Sequence, residues 1–150
     1  MENNNSEGIA EVSLIYKRKA GTCLAIISSE QAYNILLKAY DEDTIQFREE
    51  FKILLLDPAL QVLGVCCISQ GGIDTTAVDV RLILQAALLA NSTRIILCHN
   101  HPSGNIKSSL PDDQLTRKIQ QAASVMDIKV EDHLIISGKG YYSYADEGKL

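Results

Sequence analysis

The residues of this chain whose types and spacing suit chemistry are His99-Asn100-His101-Pro102-Ser103-Gly104, followed by Ser109 and Asp112. Two histidines two apart, at the end of the apolar run 94–98, lie on one side of an extended backbone, because strand side chains alternate faces. Pro102 and Gly104 then force a turn, which brings a third ligand back toward them. Asp112, at the head of a new helical pattern, is the candidate. Two imidazoles and one carboxylate, with a fourth position left to water, make an open catalytic zinc site rather than a closed structural one. The implied cofactor is Zn2+ and the implied chemistry is hydrolytic.

Plainer readings of the same residues stand beside this one. The chain has three histidines, and two of them fall in this one hexapeptide. The third, His133, is read as structural, donating to a carboxylate or a backbone group. Ser109-Leu110-Pro111-Asp112 is also a helix start, with Ser109 as N-cap and Asp112 in the first turn, where the helix dipole favours a negative charge. The two readings are compatible, since a capping position fixes a ligand's geometry. The letters H-N-H do not make an HNH nuclease, whose name describes residues scattered over a longer motif. A zinc nucleobase deaminase needs His-x-Glu and Pro-Cys-x-x-Cys, and neither occurs here.

The elements that must position these residues are legible as alternating periodicities. Glu11-Val12-Ser13-Leu14-Ile15-Tyr16 alternates like a strand after a loose tail at 1–8. Ser28-Ser29-Glu30 opens a helix to about residue 40, with Ala32, Ile35, Leu36 and Ala39 on one face. A strand at 48–57 meets a turn at Asp57-Pro58 and returns as a second strand near 60–68. Gly71-Gly72 breaks the chain, and Thr75 or Thr76 leads into a helix reaching about residue 90. The run 94–99 is apolar on both faces and reads as a central strand covered by helices. A helix over about 112–125 is followed by strands near 128–136 and 141–144 across Gly138-Lys139-Gly140. On that helix Asp112, Leu115, Thr116 and Ile119 share one face, with Asp113 turned toward solvent. The whole reads as one α/β domain over residues 9–150, a mixed sheet flanked by helices.

The strand at 48–57 carries a candidate acid/base. Alternation puts Glu49 on the face of Phe51, Ile53 and Leu55, while Glu50 shares the other with Lys52. A carboxylate on an apolar face needs a partner, and a metal site would be one. Glu50 beside Lys52 reads as a solvated edge pair. Leu54 and Leu56 make both faces apolar, so alternation favours Glu49 without deciding between the two.

Composition bounds the partners. Among 150 residues, 14 are basic and 19 acidic, for a net charge of −5, and no long Lys/Arg run occurs. Nucleic acid as a partner is therefore unsupported by charge. Cys23, Cys66, Cys67 and Cys98 show no C-x-x-C spacing and read as buried free thiols in a reducing compartment. The polar, acidic start Met1-Glu2-Asn3-Asn4-Asn5-Ser6-Glu7 lacks a signal peptide's pattern, and no stretch is apolar enough to span a membrane. A cytoplasmic location is expected.

His99-x-His101-Pro102, seven residues, then Ser109-x-x-Asp112 resembles the JAMM (MPN-plus) metalloprotease motif. More narrowly, the chain resembles the C-terminal domain of the bacterial RadC family. The run IILCHNHPSG at 95–104 is close to that family's signature, and Asp112 followed by Thr116 matches too. So do Asp132-His133-Leu134-Ile135-Ile136 and the run EEFKILLLD at 49–57. The likeness covers roughly residues 28–146. It implies the JAB/MPN (cytidine-deaminase-like) architecture, hydrolysis of peptide or isopeptide amide bonds in a protein or peptide substrate, Glu49 of the Glu-x-Phe pattern as general acid/base, and Ser109 as donor to the tetrahedral oxyanion. The alternative is a binding module that keeps the site without turnover, at DNA-processing complexes. Two departures are visible. The DNA-type module often found before this domain is not among these residues, and Val78-Asp79-Val80-Arg81-Leu82 stands where the family carries Val-His-Pro-Arg-Glu.

Overall fold

The computed structural model describes residues 10, 12–13, 15–17, 21, 24–71 and 77–150. The expected tail at 1–8, Cys23 and the helix start at Thr75 or Thr76 lie outside them. The element order is α1 (Ser29–Leu37), β1 (Glu50–Leu56), β2 (Val62–Gln70), α2 (Val80–Leu89), β3 (Arg94–Asn100), α3 (Leu110–Val125), β4 (Lys129–Ser137) and β5 (Gly140–Ser143). The five strands form one sheet in the order β2-β1-β3-β4-β5. Only β3 and β4 run parallel; the other neighbours are antiparallel. This is the expected mixed sheet flanked by helices. The parallel step follows from α3, which carries the chain from the end of β3 back to the start of β4, as a crossover must.

The run 94–99 is central because both its faces are covered. Ile95 and Leu97 join Phe51, Ile53 and Leu55 in a core closed by Ile83 and Ala87 of α2 and Ile119 and Ala123 of α3. Ile96 and Cys98 join Leu54, Leu56, Leu134 and Ile136 in a second core closed by Ala32 and Leu36 of α1. The sheet is thus the middle of three layers, and every residue of β1 is buried. Alternation continues past Leu97 to place His99 on the α2/α3 side.

Local chemistry sets the helix starts. The Ser28 side chain accepts from the Gln31 N–H, and Asp79 accepts from the Arg81 N–H. These contacts satisfy donors that a helix N-terminus otherwise leaves open. Asp79 also takes the Arg81 guanidinium, Nη2 to Oδ2 at 2.6 Å, and that hydrogen bond pulls its carboxyl down to about 2. The segment that departs from the family pattern therefore serves as a helix cap. Ala77 and Val78 have no regular structure, Asp79 is extended, and α2 begins at Val80.

Three expectations need correction. Val12, Ser13, Ile15 and Tyr16, the described residues of the first predicted strand, adopt no regular structure, and Val12 and Ile15 are exposed. What holds the segment is the Tyr16 hydroxyl, which donates to the Leu63 carbonyl at 2.7 Å. Cys67 is exposed, because β2 is an edge strand covered on one side only. Glu50 and Lys52 are no solvated pair. They are 4% and 7% exposed and meet at 2.8 Å, where Lys52 Nζ also donates to the Ala39 carbonyl. Tyr40, in the segment that follows α1, covers them, with Lys52 Nζ over its ring and its hydroxyl on the Glu50 carbonyl, and their mutual contact offsets the loss of water.

Candidate metal centre

At the C-terminal end of β3 the chain leaves the sheet. The His101 N–H extends the parallel ladder by one bond, to the Ile136 carbonyl. Pro102 and Ser103 then turn the backbone, and the Gly104 N–H closes the turn on the His101 carbonyl at 3.0 Å. Gly104 has φ +80°, a conformation for which glycine pays no steric penalty. The return leg ends at Ser109, which caps α3 through a reciprocal box. Ser109 Oγ accepts from the Asp112 N–H, and Asp112 Oδ2 accepts from the Ser109 N–H at 2.8 Å and the Ser109 hydroxyl at 2.6 Å.

This geometry brings His99, His101 and Asp112 together. His99 Nε2 lies 3.0 Å from His101 Nε2 and 3.2 Å from Asp112 Oδ1, and His101 Nε2 lies 3.7 Å from Asp112 Oδ2. A tetrahedral ion with ligand bonds of ~2.0–2.2 Å separates its ligand atoms by roughly 3.3–3.6 Å. The two imidazole nitrogens and the carboxylate, at 3.0–3.7 Å from one another with a different Asp112 oxygen nearest each histidine, bracket that span, so the three side chains fit a zinc ion. Three lone-pair atoms this close repel one another unless a proton or a cation sits among them.

The remaining atoms of each side chain are also held. His101 Nδ1 faces the Asn105 carbonyl at 2.5 Å; a carbonyl only accepts, so Nδ1 carries the hydrogen and Nε2 a free lone pair. His99 stacks on Phe51, its partner across β1 and β3, at 6.0 Å and 8°. Burial pushes the His101 imidazole below its ordinary value, which keeps it neutral and able to ligate. Burial works to raise the Asp112 carboxyl, yet His99 beside it and the two Ser109 donors hold it well below the usual carboxylate range.

Glu49 precedes β1 by one residue, half-buried, with its carbonyl accepting from the Gly71 N–H at 2.8 Å. Phe51↔His99 is the last pair of the antiparallel β1–β3 ladder, and the Glu50 N–H beyond it goes to the Asn100 side chain. The Glu49 carbonyl bond to Gly71 carries the β1–β2 pairing one step past Glu50, so strand alternation sets Glu49 on the same face as Phe51.

The sequence matches the model of a known family over residues 26–149, the RadC-like JAB domain. The chain belongs to that family. An uncharacterised-family protein, UPF0758, of Flavobacterium johnsoniae is 43% identical over 123 residues, 82% of this chain and 52% of that protein. The UPF0758 protein of Porphyromonas gingivalis is 43% identical over 104 residues, 69% and 46% of the two chains, and YkfG of Escherichia coli is 41% identical over 103, 69% and 65%. The chain thus spans about half the length of the first curated relatives it matches. Among the described residues no helix is long and apolar enough to cross a membrane.

Four residues of this JAB domain that sequence reasoning missed, or placed differently, support the site. Asn100, wholly buried on the face opposite the histidines, donates through Nδ2 to the Ile45 and Arg48 carbonyls at 2.7 and 2.9 Å. Its Oδ1 accepts from the Glu50 N–H at 2.8 Å, so Asn100 holds the backbone that leads into Glu49. An amide ending an otherwise apolar strand was the available signal. Thr116 and His133 form a hydrogen-bonded pair behind His99, where His133 meets a hydroxyl and another imidazole instead of the expected carboxylate or backbone group. Asp113 is not turned out to water: it accepts from the Tyr144 hydroxyl at 2.8 Å and pairs with Lys149 at 3.3 Å. That network packs the Tyr144 ring on His133, 4.9 Å between centroids.

Proposed function

We propose that this domain is a zinc-dependent hydrolase of peptide or isopeptide bonds. The observation that carries the reading is the convergence of His99 Nε2, His101 Nε2 and a carboxylate oxygen of Asp112 at the open end of the sheet, in a chain of the JAB family. These three would hold the ion. Zinc bound there supplies Lewis acidity that lowers the pKa of a coordinated water toward ~7. In this reading Glu49, two residues before Phe51, is the proton carrier: its carboxylate takes the proton of the attacking water and returns it to the leaving amine. Ser109 Oγ is the donor to the oxyanion that develops on the substrate carbonyl. Its hydrogen now points to Asp112 Oδ2, so it must rotate toward substrate as the reaction proceeds.

The test is a peptide and isopeptide library offered to the zinc-loaded wild type and to Glu49→Gln at equal zinc content. Cleavage by the wild type and a loss of at least about 10²-fold in the variant is the expected result. Equal cleavage by both would refute the role of Glu49. Zinc bound by both with no cleavage anywhere in the library would favour a binding module over an enzyme.

A further inference from the structure

Behind His99 runs a chain of hydrogen bonds whose direction can be read from one atom. Thr116 Oγ1 lies 2.7 Å from the Asp112 carbonyl oxygen and 2.6 Å from His133 Nδ1. A hydroxyl has a single hydrogen, and a carbonyl oxygen can only accept, so that hydrogen goes to Asp112. The short contact with His133 must then be made by a hydrogen on Nδ1 of the ring. His133 is wholly buried between the rings of Phe51 and Tyr144, surroundings that favour the neutral imidazole with one hydrogen. With Nδ1 protonated, Nε2 keeps its lone pair and accepts from His99 Nδ1 at 2.9 Å. His99 therefore carries its hydrogen on Nδ1, and its Nε2 lone pair faces His101 and Asp112.

We propose that Thr116 and His133 are positioning residues that fix the tautomer of His99 and so present its Nε2 to a divalent cation. The Asn105 carbonyl does the same for His101 directly. For His99 the partner is a second histidine, which can donate or accept with either nitrogen, and only the Thr116 hydroxyl decides which. The relay also returns to the metal centre, because Thr116 Oγ1 holds the main chain of the third ligand, Asp112, one helical turn away. This inference rests on the zinc reading of His99, His101 and Asp112.

The test compares the wild-type chain with Thr116→Val, which keeps the shape and removes the hydroxyl, and Thr116→Ser, which restores it. Two properties are measured: the tautomer of His133, from the imidazole nitrogen NMR spectrum at about pH 8 where free imidazoles are neutral, and zinc affinity by chelator competition. Wild type and Thr116→Ser should show His133 with its hydrogen on Nδ1 and the same zinc affinity. Thr116→Val should lose that single tautomer and bind zinc on the order of 10–100-fold more weakly. A wild-type His133 with its hydrogen on Nε2 overturns the relay without any variant, even if Thr116→Val fails to fold. Unchanged zinc affinity in a folded Thr116→Val overturns it as well. A wild type that binds no zinc, or binds it equally after His99→Ala, overturns the zinc reading itself.

Discussion

Asp112 does two jobs with its two oxygens, and that division explains why it follows Ser109 by three residues. Oδ2 takes both Ser109 donors, closes the cap of α3 and stands 3.7 Å from His101 Nε2, while Oδ1 is the oxygen nearest His99. Ser109→Ala removes a donor from the carboxylate and from the substrate side together. The expected outcome is a loss of about 10²–10³ in turnover and a helix weakened by about 1 kcal/mol, read by kinetics and by denaturant unfolding. A variant with full turnover would leave Ser109 as a cap alone. Glu49 and Glu50 show where residue-level reading from sequence holds and where it stops. Period-2 alternation sorts the two carboxylates onto opposite faces of the strand, and Glu50 is found on the face of Lys52, as that pattern has it. Nothing in the local pattern shows that the segment after α1, through Ala39 and Tyr40, will cover Glu50 and Lys52 and make them a buried pair.

The loop at 102–109 joins two fixed points, the end of β3 and the cap of α3. Apart from its turn at Gly104, the Asn105 carbonyl on His101 and the Lys149 contact to Ser108 at 2.7 Å, it is built mostly of small and polar residues, with Ile106 an isolated apolar one, and has little area to bury. An ion shared by His101 and Asp112 would pin both ends. Zinc should therefore slow amide exchange across 102–109, and chelation should speed it, while β3 beneath stays protected in both states. Equal exchange with and without zinc would mean the loop is an ordinary turn, indifferent to the ion. The helices and strands themselves were legible to within a few residues, because each carries one clear periodicity and a cap or turn at its ends. The segment at 12–16 was not. It alternates as a strand would, but a strand exists only where a neighbour accepts its ladder, and its described residues take no strand pairing, Tyr16 reaching Leu63 through its hydroxyl alone.

At the scale of the molecule, the site couples to stability through buried imidazoles. Burial holds His133 well below its ordinary value of 6.5 and lowers His101 as well. An imidazole neutral in the folded chain but chargeable in the unfolded one contributes stability above ~6.5, and that stability is lost as pH falls toward the folded value. The urea midpoint of metal-free protein should thus drop between pH ~7.5 and ~5.5, and His133→Gln should flatten that dependence whatever it does to the midpoint itself. An unchanged slope in the variant would assign the acid sensitivity elsewhere. The core pattern of 94–99 foretold a central strand, and the HxH spacing foretold two histidines on one side, whose Nε2 atoms lie 3.0 Å apart. The Thr116–His133 relay was not legible, since it depends on the parallel register that sets His133 beside Leu97 and on α3 lying across both strands.

Both the chemistry and the relay depend on three side chains holding one ion, and zinc X-ray absorption on the full chain, purified without a histidine tag, addresses that directly. The expected spectrum shows one zinc per chain with only nitrogen and oxygen neighbours at about 2.0–2.2 Å and the imidazole scattering of two histidines, and Asp112→Ala loses the bound ion. Sulfur neighbours at about 2.3 Å, which would point to Cys66 and exposed Cys67 on the edge strand, or a chain that holds no zinc, would contradict it.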